Sequence, residues 1–227
     1  MLDVQRLPPR TRRDDTTAAI RRIILDGVMP AGSQLRDNEL AAALGVSRAT
    51  VREAIGPLVE QGILIYEPYK GIRVAEISNQ TLVDIGDVRV ALESLAARRV
   101  ASALTDDRRS SLDKAIIRLE VARAADDGEA VNDGHFAFHR LIFELASNPI
   151  LEQMWGDIEV QTRLALRLDQ SERPDFNRTV ESHKMYLAAV LGRDLGQIDA
   201  HVRSHVLDAV AELTERRSEA STARPDR

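Results

Sequence analysis

Residues 134–141 read Gly-His-Phe-Ala-Phe-His-Arg-Leu, with His135 and His139 one helical turn apart. Imidazoles at i and i+4 face the same way on a helix, and neutral rings so placed ligate divalent ions or relay protons. The other histidines are His183, His201 and His205, so all five lie after residue 130. On a helical period, Val131, His135, Phe138, Ile142 and Leu145 share one face, with His139 beside it. Val180, His183, Leu187 and Val190 make a second stripe. Ile198, Val202, His205 and Ala209 make a third, with His201 one turn above His205. A single histidine on an apolar face is ordinarily a core residue with local partners. Several imidazoles converging from three helices each need partners for their nitrogens, and one divalent ion serves them together. Imidazole suits zinc, nickel, cobalt or iron(II). The candidate ligands are therefore His135, His139, His183 and His205, with zinc or nickel as the expected ion. A zinc protease is ruled out by spacing, because the HExxH motif needs Glu directly after the first His and this chain has Phe136.

The elements that must position these side chains are helices. The chain has 227 residues, 44% hydrophobic and 30% charged, which is enough apolar content for a buried core. Aromatics are only 4%, and Ala, Leu, Ile, Val, Glu and Arg dominate, which favours helix. Without cysteine there is neither a disulfide framework nor a thiolate metal site. No apolar run reaches 18 residues and no leader-like segment opens the chain, so a cytoplasmic protein with no membrane partner is expected.

Charge is uneven. Residues 1–77 hold 11 basic against 10 acidic side chains, while residues 78–227 hold 20 against 26. The first third is compatible with a phosphate backbone and the remainder is not.

Residues 1–15 read as a flexible arm, with Arg6, Arg10, Arg12 and Arg13 able to touch phosphate. From Thr16 to Gly27, Ile20, Ile23 and Ile24 mark a helix. Asp37 is expected to cap a short second helix that ends at Gly45, and Ser47 to cap a third that ends at Gly62. Two short strands separated by the turn Glu-Pro-Tyr-Lys-Gly follow. Three helices and a hairpin make a winged helix-turn-helix over 16–77. Six helices near 79–103, 106–125, 129–146, 149–170, 174–191 and 194–217 then form an all-α antiparallel bundle over 78–217, and 218–227 is a tail. The fold class is mainly α.

In the third helix Val51, Ala54, Ile55 and Leu58 form the buried stripe. Ser47, Arg48, Thr50 and Arg52 sit on the exposed N-terminal edge, where hydroxyls, guanidiniums and the helix terminus suit a major groove. A plain amphipathic helix with solvated arginines is the alternative. Gly56-Pro57 predicts a kink beyond the DNA-reading half.

GVSRATVREAI resembles the GVSR-x-x-VREAL signature of the GntR family of transcription regulators, and the likeness runs through residues 17–77 in order. It implies operator contacts by Ser47, Arg48, Thr50, Arg52 and the wing-tip Gly71. Asn38 stands where some members carry a DNA-contacting arginine.

FAFHRLIFELASNPIL, ESHKMYLAAVLGRD and AHVRSHVLDAV together resemble the ligand-binding (FCD) domain of the FadR subfamily, whose motif is D-x-x-F-H-x-x-L followed by two later histidines. Carried across, His139, His183 and His205 match the family's ligands, and His135 stands at its Asp. VRVALESLAARR is similar to the R-x-x-L-E near that domain's start. Arg89 is then either an effector contact or half of a surface salt bridge with Glu93. Arg163 and Arg167 either clamp a carboxylate or lie solvated on the surface. The resemblance implies a homodimeric, metabolite-responsive repressor of a palindromic double-stranded operator, with a small carboxylate as effector. Two alternatives stay open: a metal-dependent enzyme fused to a DNA-binding module, which lacks a visible general base, and a regulator whose metal is purely structural.

Overall fold

The computed structural model describes residues 12–167 and 175–222. The chain divides between Ile77 and Ser78 into two compact units, and the last residues of the helix ending at Arg167, from Arg163 on, fall outside the second.

The N-terminal unit holds α1 (Arg12–Leu25), α2 (Asp37–Leu44), α3 (Arg48–Glu60), β1 (Leu64–Glu67) and β2 (Gly71–Val74). Helix α1 starts four residues before the expected Thr16. Asp14 and Asp15 lie at its positive end, and the hydroxyls of Thr16 and Thr17 donate back to the carbonyls of Arg12 and Arg13. Arg12 and Arg13 are therefore helical, whereas Arg6 and Arg10 lie outside the described residues. Ile20 and Ile24 are buried against α3, and Thr17 also donates to the carbonyl of Ala54, tying the two helices.

Asp37 does not cap α2. Arg36 holds the cap position without a side-chain capping bond, and Asp37 is the first helical residue. Gly45 closes α2 in the left-handed region at φ 65°, which gives the sharp turn into α3. Ser47 caps α3 as its sequence suggests, accepting from the Thr50 amide at 3.1 Å. The expected stripe of Val51, Ala54, Ile55 and Leu58 is buried. Helix α3 is not interrupted at Gly56-Pro57; it runs as one α-helix from Arg48 to Glu60. Burial of that stripe offsets the amide bond lost at Pro57. Strands β1 and β2 pair antiparallel, Leu64 opposite Val74 and Glu67 opposite Gly71, and Gln34 bridges Arg73 on the outer edge.

The C-terminal unit contains α4 (Asn79–Ser102), α5 (Asp106–Ala124), α6 (Gly128–Leu145), α7 (Pro149–Arg167) as far as Thr162, α8 (Phe176–Gly192) and α9 (Leu195–Thr222). Ser78, Thr105, Asp127 and Asp175 cap α4, α5, α6 and α8 through side-chain oxygens, which is why short polar breaks suffice between long helices. Helix α9 runs through Thr222, so residues 218–222 are helix rather than tail. Helix α4 packs along α9, α5 along α6, and α8 against both α5 and α9. Trp155, Tyr186, Phe138 and Phe143 are fully buried, with Phe143 stacked on Trp155 at 4.8 Å between ring centres. The observed stripes differ slightly from the expected ones: Phe136 and Phe143 are buried on α6 while Leu145 is only half-buried, and Val206 replaces the exposed Ala209 on α9. No helix among the described residues is long and apolar enough to cross a membrane.

Candidate functional site

Helices α6, α8 and α9 bring four imidazoles together. Ring centres lie 4.8 Å apart for His135 and His139, 4.9 Å for His135 and His183, 5.2 Å for His139 and His183, 5.1 Å for His139 and His205, and 4.7 Å for His183 and His205. His135, His139 and His183 each place a ring nitrogen within 4.8 Å of the others, and His205 Nε2 lies 3.1 Å from His139 Nε2. His201, one turn before His205, is half-buried and has no ring contact with the four among the described residues.

The outer nitrogens are anchored by neighbours. His183 Nδ1 lies 2.6 Å from the carbonyl of Thr179, one turn earlier on α8. A carbonyl only accepts, so Nδ1 carries the proton and Nε2 keeps its lone pair. His205 Nδ1 meets the Ser182 hydroxyl at 2.5 Å. His139 Nδ1 lies 3.0 Å from Glu93 Oε2. Glu93 is fully buried and accepts from Arg89 Nε at 2.8 Å; the Arg89 guanidinium lies 5.8 Å from the Trp155 ring centre.

Burial is the first influence on titration here. It raises Glu93, but the Arg89 charge and then His139 outweigh it and hold the carboxyl at about 2. Burial lowers His183 to about 3, and His139 adds to that; His135 and His205 are pushed well below the usual histidine range by burial and by neighbouring imidazoles. At neutral pH these three rings are uncharged, the form that ligates.

The donor set fits a metal ion. Nε2 of His135 and of His183 are buried without a hydrogen-bond partner. An orphaned buried acceptor costs about 1–3 kcal/mol, and an ion would supply the missing partner. Two ligands about 2.1 Å from one ion lie about 3.0–3.4 Å apart at right or tetrahedral angles. The 3.1 Å between His139 Nε2 and His205 Nε2 falls in that interval.

In the N-terminal unit, Ser47, Arg48, Thr50 and Arg52 share the exposed start of α3, with Thr50 half-buried. Ser47 Oγ and Thr50 Oγ1 are bonded to each other at 2.8 Å. Arg52 Nε donates to Asp37 Oδ2 at 2.7 Å, while Arg48 is unpaired among the described residues. Gly71, at φ 83°, ends the wing turn beside the fully exposed Tyr69.

The family of bacterial regulatory proteins named for GntR matches residues 12–74, and the FCD domain family matches residues 84–208. The chain belongs to the GntR family of transcriptional regulators. Its C-terminal unit is an FCD domain. This GntR regulator is 26% identical over 180 residues to the gluconate operon transcriptional repressor of Bacillus licheniformis, covering 77% of this chain and 74% of that protein. It is 25% identical over 211 residues to the transcriptional repressor RspR of Escherichia coli, covering 89% of each. Its fold matches Escherichia coli McbR with a TM-score of 0.78 at 23% identity, over 91% of this chain and 99% of that one. These relatives are regulators rather than enzymes.

Of the residues singled out in the sequence of this GntR regulator, the four histidines converge. The Arg89–Glu93 pair is buried, not a surface bridge, with Arg89 5% exposed. Arg163 is half-buried on α7, and the Arg167 side chain lies outside the described residues. Sequence reasoning left Glu93, Thr179 and Ser182 out of the site. The one-turn spacings of Thr179 to His183 and of Arg89 to Glu93 are local signals for the first two, whereas Ser182 meets His205 across helices and carries none.

Proposed function

We propose that this GntR regulator is a metabolite-responsive repressor that grips a palindromic operator as a homodimer. The FCD domain holds a divalent transition ion, zinc or nickel, on His135, His139, His183 and His205. A small carboxylate effector completes the ion's coordination. Arg89, whose terminal nitrogens have no hydrogen-bond partner among the described residues, faces that carboxylate. On the DNA side, Arg48, Arg52 and Gly71 contact the operator, with Ser47 and Thr50 at the helix start. Effector binding changes the spacing of the two recognition helices, which must match major grooves about 34 Å apart.

The observation that carries this reading is the pair of orphaned, buried Nε2 atoms on His135 and His183, beside the close approach of His139 and His205. The repressor sense rests on the two relatives named as repressors. The test joins elemental analysis of the purified protein to operator gel shifts, with gluconate as the first probe from a panel of sugar acids. The expected result is one metal per chain, with His183→Ala losing both metal and effector response while still binding the operator. A His183→Ala protein that keeps the effector response and only melts earlier would reduce the metal to a structural part. Metal-free preparations that respond normally would end the proposal.

A further inference from the structure

Away from the histidines, the ends of α4 and α6 meet the starts of α5 and α9 around an open cavity of about 440 Å³. Arg98, Arg99, Ser102, Arg108, Ser147 and Leu195 line it. Arg98 is neutralised by Asp199. Arg99 and Arg108 meet no carboxylate among the described residues.

Their partners are neutral. Arg99 donates from Nε to the carbonyl of Ala146 at 2.8 Å and from Nη2 to that of Ser147 at 3.4 Å. Arg108 donates from Nη1 to the carbonyl of Ala103 at 3.0 Å and from Nη2 to Ser147 Oγ at 3.1 Å. Each guanidinium thus uses two of its five N–H groups and keeps three. Capping the carboxyl ends of α4 and α6 accounts for one arginine at each. It does not account for both converging on Ser147, held in the left-handed region at φ 52°, with like charges unshielded beneath an open cavity. Arg108 shares the first turn of α5 with Asp106 and Asp107, and Asp194 Oδ1 already accepts from the amides of Gly196 and Gln197 at the start of α9, so the two arginines rather than the helix ends supply the positive charge.

We propose that this cavity binds a phosphoryl group, carried by a small metabolite or as free phosphate. Two adjacent guanidiniums with free N–H forks match a dianion whose several oxygens accept bidentate pairs. The volume exceeds what one phosphate fills and lies in the range of small-ligand clefts, about 300–1,000 Å³. The site is separate from the histidine centre and does not depend on a metal there.

The test is isothermal titration of the full chain with inorganic phosphate and with glucose 6-phosphate, against sodium chloride at matched ionic strength. Saturable binding of either, weakened at least tenfold by Arg108→Gln and by Ser102→Glu, is the expected result. Ser102→Glu places a carboxylate in the cavity while retaining every arginine, so it decides the matter if Arg108→Gln unfolds. Tenfold tighter binding of the sugar phosphate assigns a phosphorylated metabolite; equal or tighter inorganic phosphate assigns the free ion. Heat indistinguishable from the chloride control, or Ser102→Glu binding phosphate like the parent, would overturn the proposal.

Discussion

Glu93 Oε2 sits 3.0 Å from Nδ1 of His139, joining α4 to α6 through two side chains with no solvent exposure. A carboxylate behind a ligating imidazole fixes the ring and increases its basicity. Because Arg89 binds the other oxygen of Glu93, the charge on α4 is balanced before any ion arrives. The pair bears on folding and, under the proposed metal reading, would bear on ligation as well.

Replacing Glu93 by Gln separates those roles. It leaves the Arg89 guanidinium buried without a counter-charge, so the metal-free protein should lose about 3–5 kcal/mol, read by urea unfolding. Metal affinity should fall about 10–100-fold in a competition titration. A double change, Arg89→Met with Glu93→Leu, should recover much of the stability and none of the affinity. An unaltered urea midpoint for Glu93→Gln would show that the pair does not bear on folding.

Acid should unfold the metal-free protein early. His135, His183 and His205 have folded pKa values below 6.5, so below that pH the unfolded chain takes up protons that the folded chain refuses. Stability is then complete above pH 6.5 and falls beneath it, by about 1.4 kcal/mol per pH unit for each histidine. Glu93, at about 2 when folded, adds a second loss as pH drops through 4.5 toward that value. Urea midpoints measured from pH 8 to 5 check this. Equal midpoints at pH 7.5 and 5.5 would mean that the rings are protonated in the native state.

At the DNA-reading edge, two neighbours should behave oppositely. The Ser47 hydroxyl is committed to the cap, so Ser47→Ala should cost the free protein about 1 kcal/mol, visible in thermal melts. Arg48 is exposed and unpaired, so Arg48→Ala should leave the melt unchanged and weaken operator binding about tenfold or more. Fluorescence anisotropy across a salt series distinguishes a base contact from a phosphate contact. Only the latter lowers the salt slope. Operator affinity unchanged by Arg48→Ala would remove that residue from the interface.

Local chemistry was readable where it acts locally. The Gly45 turn, the Ser47 cap and the histidine spacings all work within one or two helical turns, and the bundle's helices end within a few residues of their expected limits. The relationships that escaped are tertiary. Nothing within one turn of His139 announces that its outer nitrogen will meet Glu93, on a helix 46 positions earlier. Asp37 looks like a cap in isolation, but its carboxylate is taken by Arg52 on the next helix. The convergence of Arg99 and Arg108 depends on how the ends of α4 and α6 pack, which no spacing encodes.

Pro57 stands inside one continuous α3, where burial of Val51, Ala54, Ile55 and Leu58 offsets the amide bond it lacks. The neighbouring Gly56 offers a direct measure of what helix propensity still costs there. It is exposed and helical, and a Cβ built on it meets nothing within 4 Å. Gly56→Ala should therefore stabilise the N-terminal unit by about 0.5–1 kcal/mol, by restricting the unfolded chain without disturbing the folded one. Gly86 on α4 is the contrasting case, because an added Cβ would come within 3.0 Å of Val210 on α9, and its alanine variant should lose stability. Thermal melts of both variants check the pair. A Gly56→Ala protein that melts lower would show that α3 depends on the freedom glycine gives it ahead of Pro57.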